Sequence, residues 1–153
     1  MTTRSITLAV ASVALALGVQ AAERATPAEA KAMLEKAVAH YKAAGRKQAL
    51  ADFNGRKAPF SDRDLYVFCL GSDRSMTANG AYPSWVGQPV DVLKDANGKA
   101  LGKSLMDAAA AGGRGVVEYP HINPVTRKPE PKVSFVQKVG DDVCGVGAYE
   151  PKE

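Results

Sequence analysis

A small set of aromatic and polar side chains falls at the ends of predicted strands, where different parts of the chain can meet. Its members are Asn79, Tyr82, Trp85, Tyr119, His121 and Lys132. Aromatic walls exclude water, hydroxyl and imidazole groups orient a ligand, and a lysine supplies positive charge, so the set suits a small carboxylate pocket. The same residue types also suit core packing by Trp85 and Tyr119 with Lys132 at the surface. Residue types alone leave both interpretations open.

Motifs for catalysis are largely absent from the sequence. It contains no Gly-x-Ser-x-Gly elbow, no phosphate-binding glycine loop and no His-Glu-x-x-His metal motif. The only histidines are His40 and His121, and neither has a neighbour at metal-ligand spacing. We therefore expect a binding protein with no catalytic residues, no metal and no cofactor, and an enzyme that uses His121 is the less favoured alternative.

The first residues have the pattern of a cleavable secretory signal. Arg4 supplies a positive charge, residues 6–19 are almost entirely apolar, and small residues follow as far as Ala21. The apolar run is shorter than the roughly 20 residues that span a bilayer, and an uncleaved anchor is the alternative. We expect a leader over 1–21, one domain over 22–153 and a periplasmic location, because cleavage leaves a chain of ordinary domain size.

Charge and cysteine content exclude further classes of protein. The formal net charge of +4 is mildly basic, and no arginine-rich stripe or reading helix is evident, so nucleic acid is not expected as a partner. The two cysteines, Cys69 and Cys144, would usually form one disulfide in an oxidising compartment, and two buried thiols are the alternative.

Capping and periodicity signals predict the elements that position these residues. Thr26, Pro27 and Glu29 mark the start of a long helix that ends at Gly45, and a short helix is expected over 47–53. A third helix is predicted after the turn that ends at Gly98, and a proline-rich hairpin loop over 120–131. Strands are predicted over 65–70, 76–78, 115–119, 132–139 and 143–149.

The predicted fourth strand alternates cleanly between two faces. One face carries Val133, Phe135, Gln137 and Val139, and the other carries Lys132, Ser134, Val136 and Lys138. The order of helices followed by two strands, a helix and three strands indicates an α+β fold. We therefore expect an antiparallel sheet with the long N-terminal helix on one face.

Several short segments occur in an order that is similar to a known family. They are Lys47 to Asn54, Asp64 to Phe68, Leu93 to Gly98, Gly115 to Tyr119, Lys132 to Val136 and Gly145 to Tyr149. Together they resemble a single Cache domain of type 2, the extracellular sensing module of many bacterial receptors. No segment is specific by itself, whereas the ordered set extends over most of the predicted domain.

The resemblance implies a PAS-like fold with a central antiparallel five-stranded sheet, the long N-terminal helix behind it and a ligand pocket in front. Members of the family commonly bind small organic acids or related metabolites. The first and last strands of such a sheet are antiparallel neighbours, which would pair Cys69 with Cys144.

Some positions of the sequence depart from the family pattern. Tyr119 and Lys132 keep the usual identities, whereas Asn79 and Gly80 replace a His-Pro pair, His121 replaces a common tryptophan and Phe135 replaces a common tyrosine. We expect these departures to lie at the pocket, so the identity of the ligand stays open.

We expect a periplasmic domain that binds or senses a small organic acid or similar metabolite. Receptor Cache domains are normally followed by a transmembrane helix and a signalling domain, whereas this sequence ends at Glu153. The expected partner is therefore a separate membrane receptor or transporter. The alternative is a protein-interaction module without a small ligand, which would have a filled pocket and an exposed apolar patch.

Overall fold

The computed structural model describes residues 23–150, and the predicted leader over 1–21 lies outside the described residues. Three helices are present in this part of the chain: α1 (Pro27–Ala44), α2 (Arg46–Asn54) and α3 (Leu101–Ala110). Two short 3-10 turns, Pro83–Trp85 and Val90–Val92, lie between residue 79 and the start of α3.

The N-terminal capping box predicted for α1 is formed. Thr26 Oγ1 accepts a hydrogen bond from the Glu29 amide at 3.2 Å, and the Glu29 carboxylate accepts one from the Thr26 amide at 2.7 Å. Gly45 ends the helix in a left-handed conformation, with φ of 82°, that glycine adopts without strain. The buried stripe of α1 has the predicted helical spacing and consists of Ala30, Met33, Leu34, Ala37, Val38 and Tyr41.

The described strands form one antiparallel sheet. They are β1 (Ser61–Asp62), β2 (Leu65–Gly71), β3 (Met76–Asn79), β4 (Arg114–Ile122), β5 (Pro129–Val139) and β6 (Asp142–Tyr149). The strand order is β1–β2–β6–β5–β4, and β3 pairs with β2. The predicted α+β architecture is therefore confirmed, including the long helix α1 on one face of the sheet.

The sheet has one strand more than the expected five. The additional strand is β1, which has only two residues and pairs with the start of β2. Val67 donates its amide to the Phe60 carbonyl at 3.1 Å and accepts from the Gly80 amide at 3.0 Å, so β1 and β3 share one edge of β2. Two residues are too few for an alternating pattern, which is why the sequence did not indicate this strand.

The β4–β5 hairpin is more extended than predicted because Pro120 and Pro131 lie within strands. The two prolines face each other, and their carbonyls accept outward hydrogen bonds from the amides of Ala96 and Glu150, both at 2.8 Å. The N–H of a strand residue points to the same side as its carbonyl, which at both prolines is away from the β4–β5 ladder. The missing N–H of proline therefore removes no hydrogen bond from this ladder. The connecting loop is confined to 123–128, and the predicted loop is wrong at both ends.

Side chains of the sheet alternate between a back face and a front face, as predicted for β5. On the back face, Val133 and Val139 pack in one core with α1. On the front face, Val136 packs in a second core with α3 and with residues of the loop over 80–93. The back face therefore anchors the long helix, and the front face is where a pocket could form.

The disulfide between Cys69 and Cys144 is present in the structure. The two residues are direct partners in the antiparallel pairing of β2 with β6, and both are fully buried beneath α1. The bond therefore fastens the two central strands on the face opposite the pocket.

Asp142, at the start of β6, joins the sheet to the helices through a buried carboxylate. It accepts hydrogen bonds from the Tyr41 hydroxyl at 2.6 Å, from Arg46 Nε at 2.7 Å and from the Thr77 hydroxyl at 2.7 Å. Burial, together with this carboxylate, raises the pKa of Tyr41 to about 12.

Replacing Asp142 by Asn should lower the free energy of unfolding by about 2 kcal/mol. The hydrogen bonds to the carboxylate would lose its negative charge, and the new amide nitrogen would face other donors and find no acceptor. Urea unfolding measures this loss. Asp141→Asn is the matched control, since Asp141 is exposed and should leave stability within about 0.5 kcal/mol of wild type. Equal stability of the two variants would contradict a structural role for the Asp142 charge.

Candidate functional site

Lys132 is a buried lysine on the front face of β5. It pairs with Tyr119 of β4 on one side and with Tyr149 of β6 on the other. Only 2% of the residue is exposed. Gly147 of β6 makes space for its stem, because a Cβ atom at that position would collide with Lys132 Cε. The alternative of a surface lysine is therefore wrong.

The ammonium group of Lys132 lies among aromatic side chains. Nζ donates a hydrogen bond to the Tyr66 hydroxyl at 2.8 Å, and it lies 4.1 Å from the Tyr66 ring centroid and 4.7 Å from that of Tyr149. Within residues 23–150, no carboxylate oxygen lies within 4.0 Å of Nζ. An ammonium has three N–H donors, so two lack a partner among the described groups.

Burial lowers the pKa of Lys132 to about 7, and the charge of Asp64 opposes this shift only in part. Asp64 is itself buried, and its oxygens accept hydrogen bonds from the Ala25 amide at 3.0 Å and from Asn123 Nδ2 at 3.4 Å. The nearby carboxylate is therefore held by other donors and does not pair directly with the ammonium. An anion that reached Nζ would compensate the buried charge.

A cavity of about 20 Å³ lies on the same face, between the sheet and α3. Four of the six predicted pocket residues line it: Asn79, Trp85, Tyr119 and His121. The other two, Tyr82 and Lys132, are not in the lining. Tyr66 links the two regions, because its side chain lines the cavity and its hydroxyl accepts the hydrogen bond from Lys132.

Asn79 mainly holds the loop that covers the cavity. Its Oδ1 accepts hydrogen bonds from the amides of Ala81 at 3.0 Å and Tyr82 at 2.7 Å. Its Nδ2 has only a sulfur partner, Met76 Sδ at 3.3 Å, which is a weak acceptor. The oxygen of this amide therefore has a structural role, whereas its nitrogen is a hydrogen-bond donor without a strong acceptor.

The loop over 80–93 covers the cavity with two aromatic residues. The Tyr82 hydroxyl donates to the Ile122 carbonyl at 2.6 Å, which ties the loop to the end of β4. The Tyr82 and Trp85 ring centroids lie 5.7 Å apart, and each lies less than 6 Å from the ring of His121. These contacts close the front of the cavity, so ligand entry requires the loop to move.

The two residues from the end of β4 are both buried. The Tyr119 hydroxyl is 2.8 Å from Ser134 Oγ, and burial raises the pKa of Tyr119. His121 Nδ1 is 3.1 Å from the Ile122 carbonyl oxygen and 3.3 Å from the Tyr149 hydroxyl. Burial is the main cause that lowers the pKa of His121 to about 4, and the positive charge of Lys132 is the second cause. The ring is therefore neutral near pH 7.

Sequence reasoning missed the aromatic residues around the ammonium, which are Tyr66, Phe68 and Tyr149, and Gly147 beside the lysine stem. The period-2 alternation of β2 could have indicated the front-facing residues Tyr66 and Phe68. Their proximity to Lys132 depends on β6 lying between β2 and β5, which is a property of the strand order.

The model of the family described as "Single Cache domain 2" matches residues 7–149. The chain belongs to this family. No curated protein has a sequence that matches the chain significantly. The resemblance seen in the ordered segments is therefore confirmed at the level of the family.

Solved structures similar to this Cache domain include sensor domains of chemotaxis proteins. A methyl-accepting chemotaxis protein from Vibrio parahaemolyticus RIMD 2210633 has a TM-score of 0.66 and 25% identity, over 80% of this chain and 86% of that chain. A periplasmic sensor domain of a chemotaxis protein has a TM-score of 0.61 and 25% identity, over 79% of this chain and 88% of that one. A Cache chemosensory domain described for carboxylic acid recognition has a TM-score of 0.61 and 22% identity, over 79% and 86% of the two chains.

Two of the four family departures, Gly80 and Phe135, are not in the lining of the cavity. Phe135 is on the back face of the sheet of this Cache domain, where Lys31 Nζ of α1 lies 4.8 Å from its ring centroid. The expectation that it borders the pocket is wrong, because Phe135 and Lys132 differ by an odd number of positions along one strand. Gly80 is held in a tight site where a Cβ atom would lie 3.1 Å from Tyr66 Cβ.

A wider surface recess of about 410 Å³ also touches Tyr119 and Lys132, beside the β4–β5 hairpin. Its lining includes Glu118 and Glu150, whose negative charges disfavour an anion, and Glu130, which is paired with Arg24. The Lys132 side chain is buried away from this surface. The enclosed front face is therefore the better candidate site.

The described part of the Cache domain lacks the features of three other kinds of site. No helix in residues 23–150 is long and apolar enough to cross a bilayer. The same residues contain no group of three or more metal-ligating side chains. His121 has no serine or carboxylate as a hydrogen-bond partner in this range, so the arrangement required by the enzyme alternative is not formed there.

Proposed function

We propose that this Cache domain binds a small carboxylate and acts as a periplasmic ligand-sensing or ligand-binding domain. The observation that carries the proposal is the buried Lys132 ammonium, which has a tyrosine hydroxyl as hydrogen-bond partner and no ion-pair partner among the described residues. A buried charge is costly unless it is paired, so this position favours an anionic ligand.

The chemistry around Lys132 suits a carboxylate. The aromatic rings of Tyr66 and Tyr149 exclude water, which strengthens an ion pair between Nζ and an acid. The likeness to a Cache domain described for carboxylic acid recognition supports the same ligand class. The two N–H groups of Lys132 without partners would be the donors to the carboxylate oxygens.

The size of the enclosed space restricts the ligand. A cavity of about 20 Å³ is close to the space that one water molecule needs. We infer that an acid of two or three carbons binds after a shift of the Tyr66 side chain, which separates the cavity from Lys132, and of the loop that carries Tyr82 and Trp85.

The predicted leader over 1–21 supports a proposal for where the domain acts. We propose that export delivers the domain to the periplasm, where it presents its ligand state to a separate membrane receptor or transporter. The likeness to a periplasmic sensor domain of a chemotaxis protein supports this setting.

A thermal-unfolding screen of small monocarboxylates tests the proposed function. At about 100 times its dissociation constant, a bound acid should stabilise the protein by ~2.7 kcal/mol, which is a clear rise in melting temperature. Formate, acetate, propionate and glycolate are the probes, and acetamide is a neutral control with the shape of acetate. A screen in which no acid stabilises the protein, or in which acetamide matches acetate, would contradict the proposal.

A protein-interaction module without a small ligand is the second candidate. The small cavity favours it, as does a surface groove of about 330 Å³ between α1 and the sheet edge, where Val116 is 57% exposed. Under this hypothesis no acid shifts the melting temperature, and substitution of Lys132 leaves partner binding intact.

A further inference from the structure

Strand β4 forms a long edge of the sheet. It lies at one end of the strand order and has nine residues, whereas the strand at the other end, β1, has only two. A long edge exposes main-chain groups that can pair with another strand, and proteins usually protect such an edge with prolines, bulges or a covering element. Between Arg114 and Glu118, β4 contains no proline, and its pairing with β5 has no register shift.

The main-chain groups of alternate β4 residues point away from β5. The Gly113 carbonyl, just before β4, accepts a hydrogen bond from the Lys138 amide of β5 at 2.7 Å. The Pro120 carbonyl points to the outer side, where it accepts from the Ala96 amide at 2.8 Å. Because these directions alternate along a strand, the odd-numbered residues of β4 face β5 and the even-numbered residues face outward.

The unpaired part of this edge is the segment over 114–118, which we call the free edge. Its outward residues are Arg114, Val116 and Glu118, whose main-chain groups have no main-chain partner within residues 23–150. Their side chains share the back face of the sheet, because Val116 is the cross-strand partner of Phe135. Helix α1 covers β5 and β6, and a groove of about 330 Å³ lies between α1 and Val116, which is 57% exposed.

The free edge is complementary to itself in the antiparallel direction. With a two-fold axis at Val116, Arg114 of one copy faces Glu118 of the other, and the two Val116 side chains face each other. An axis at residue 115 or 117 would place a charged side chain against Val116, and an axis at Arg114 or Glu118 would place like charges together. Both charged residues are exposed, and neither has an ion-pair partner in the described part of the chain.

We propose that two copies of this Cache domain associate through their free edges, with the two-fold axis at Val116, so that their sheets join into one continuous antiparallel sheet. Each facing pair of outward residues would exchange two main-chain hydrogen bonds, and an Arg–Glu pair would lie on either side of the central valines. The free edge is short compared with the interfaces of stable dimers, so we expect a weak dimer with a dissociation constant on the order of 100 μM. The association does not involve the ligand pocket, which lies on the front face.

Charge exchange between the two copies tests the register of this dimer. Glu118→Arg would place two arginines opposite each other, and Arg114→Glu would place two glutamates together, so each substitution should weaken dimerisation about tenfold. The double variant restores pairs of opposite charge and should dimerise like wild type. Sedimentation equilibrium of the whole chain between about 10 μM and about 1 mM, a range that brackets the expected dissociation constant, measures these changes.

The central valine gives a second test with a matched control. Val116→Lys would place two ammonium groups at the axis and should abolish the dimer. Val125→Lys is the control, because Val125 is similarly exposed, at 47%, but lies in the loop over 123–128. This control should leave the dissociation constant unchanged.

Amide hydrogen exchange of the wild-type protein distinguishes this dimer from one formed through another surface. The Val116 amide should exchange about fourfold more slowly at about 1 mM than at about 10 μM, as mass action gives for the expected dissociation constant. The Val117 amide, which faces β5, should show no such dependence. A protein that stays monomeric at about 1 mM, a dimer that persists in Val116→Lys, or a double charge variant as weak as the single variants would overturn the proposal.

Discussion

Lys132→Met is expected to abolish carboxylate binding while the domain stays folded. Methionine keeps most of the stem volume and removes the charge, so an acid that enters the aromatic pocket would be desolvated and unpaired. The expected loss is about 2–5 kcal/mol of binding free energy, which is roughly 30-fold to several thousand-fold in the dissociation constant. The free variant should be as stable as wild type or more stable, because a buried unpaired cation is replaced by an apolar group.

Isothermal titration with the best acid of the screen measures this loss, and Lys138→Met is the matched control. Lys138 lies on the same strand and the same side of the sheet, but it is exposed. Its replacement should leave the affinity unchanged. Unchanged affinity in Lys132→Met would show that the carboxylate does not pair with this ammonium.

Acid affinity and the stability of the free protein should change with pH in opposite directions. The acid binds the charged form of Lys132, whose pKa in the free domain is about 7, so affinity falls as pH rises above that value. Between pH 7 and pH 9 the expected fall is about 50-fold, provided that the ion pair holds the pKa of bound Lys132 above 9.

The stability of the unliganded protein follows the reverse trend. The folded-state pKa of Lys132 is below the unfolded value, so the unfolded chain binds more protons between about pH 7 and pH 10. The unfolding free energy of wild type, relative to Lys132→Met, should therefore rise by about 2 kcal/mol from pH 7 to pH 9. Burial raises the pKa values of Tyr66 and Tyr149, so these neighbours do not titrate in this window.

Titration calorimetry and urea unfolding at pH 7, 8 and 9 measure the two trends on the same samples. Lys132→Met is the reference for stability, since it removes the titrating group and keeps all others. A pH-independent difference in stability between wild type and variant would show that Lys132 stays charged throughout the range. An affinity that did not fall with pH would contradict binding through the charged ammonium.

Much of the fold could be predicted from local signals. The capping box at Thr26, the stripe of α1 and the alternation along β5 each depend on residues close in sequence. These patterns were sufficient to place Lys132 and Val133 on opposite faces. The disulfide between Cys69 and Cys144 required the strand order as well, which the family resemblance supplied.

The parts that could not be predicted depend on contacts between distant segments. The Tyr66 hydroxyl meets Lys132 across a separation of 66 residues, because β6 brings β2 and β5 onto one face. The extended β4–β5 hairpin depends on which side of the ladder each proline faces, and the residue type does not determine this. The small size of the cavity results from the packing of α3 and the loop over 80–93.

A crystal structure of the domain grown with glycolate tests the central claim most directly. We expect the acid on the front face of the sheet, with a carboxylate oxygen about 2.8 Å from Lys132 Nζ. An acid bound elsewhere, with Nζ still donating to the Tyr66 hydroxyl and no anion beside it, would contradict the assignment of Lys132 as the binding cation.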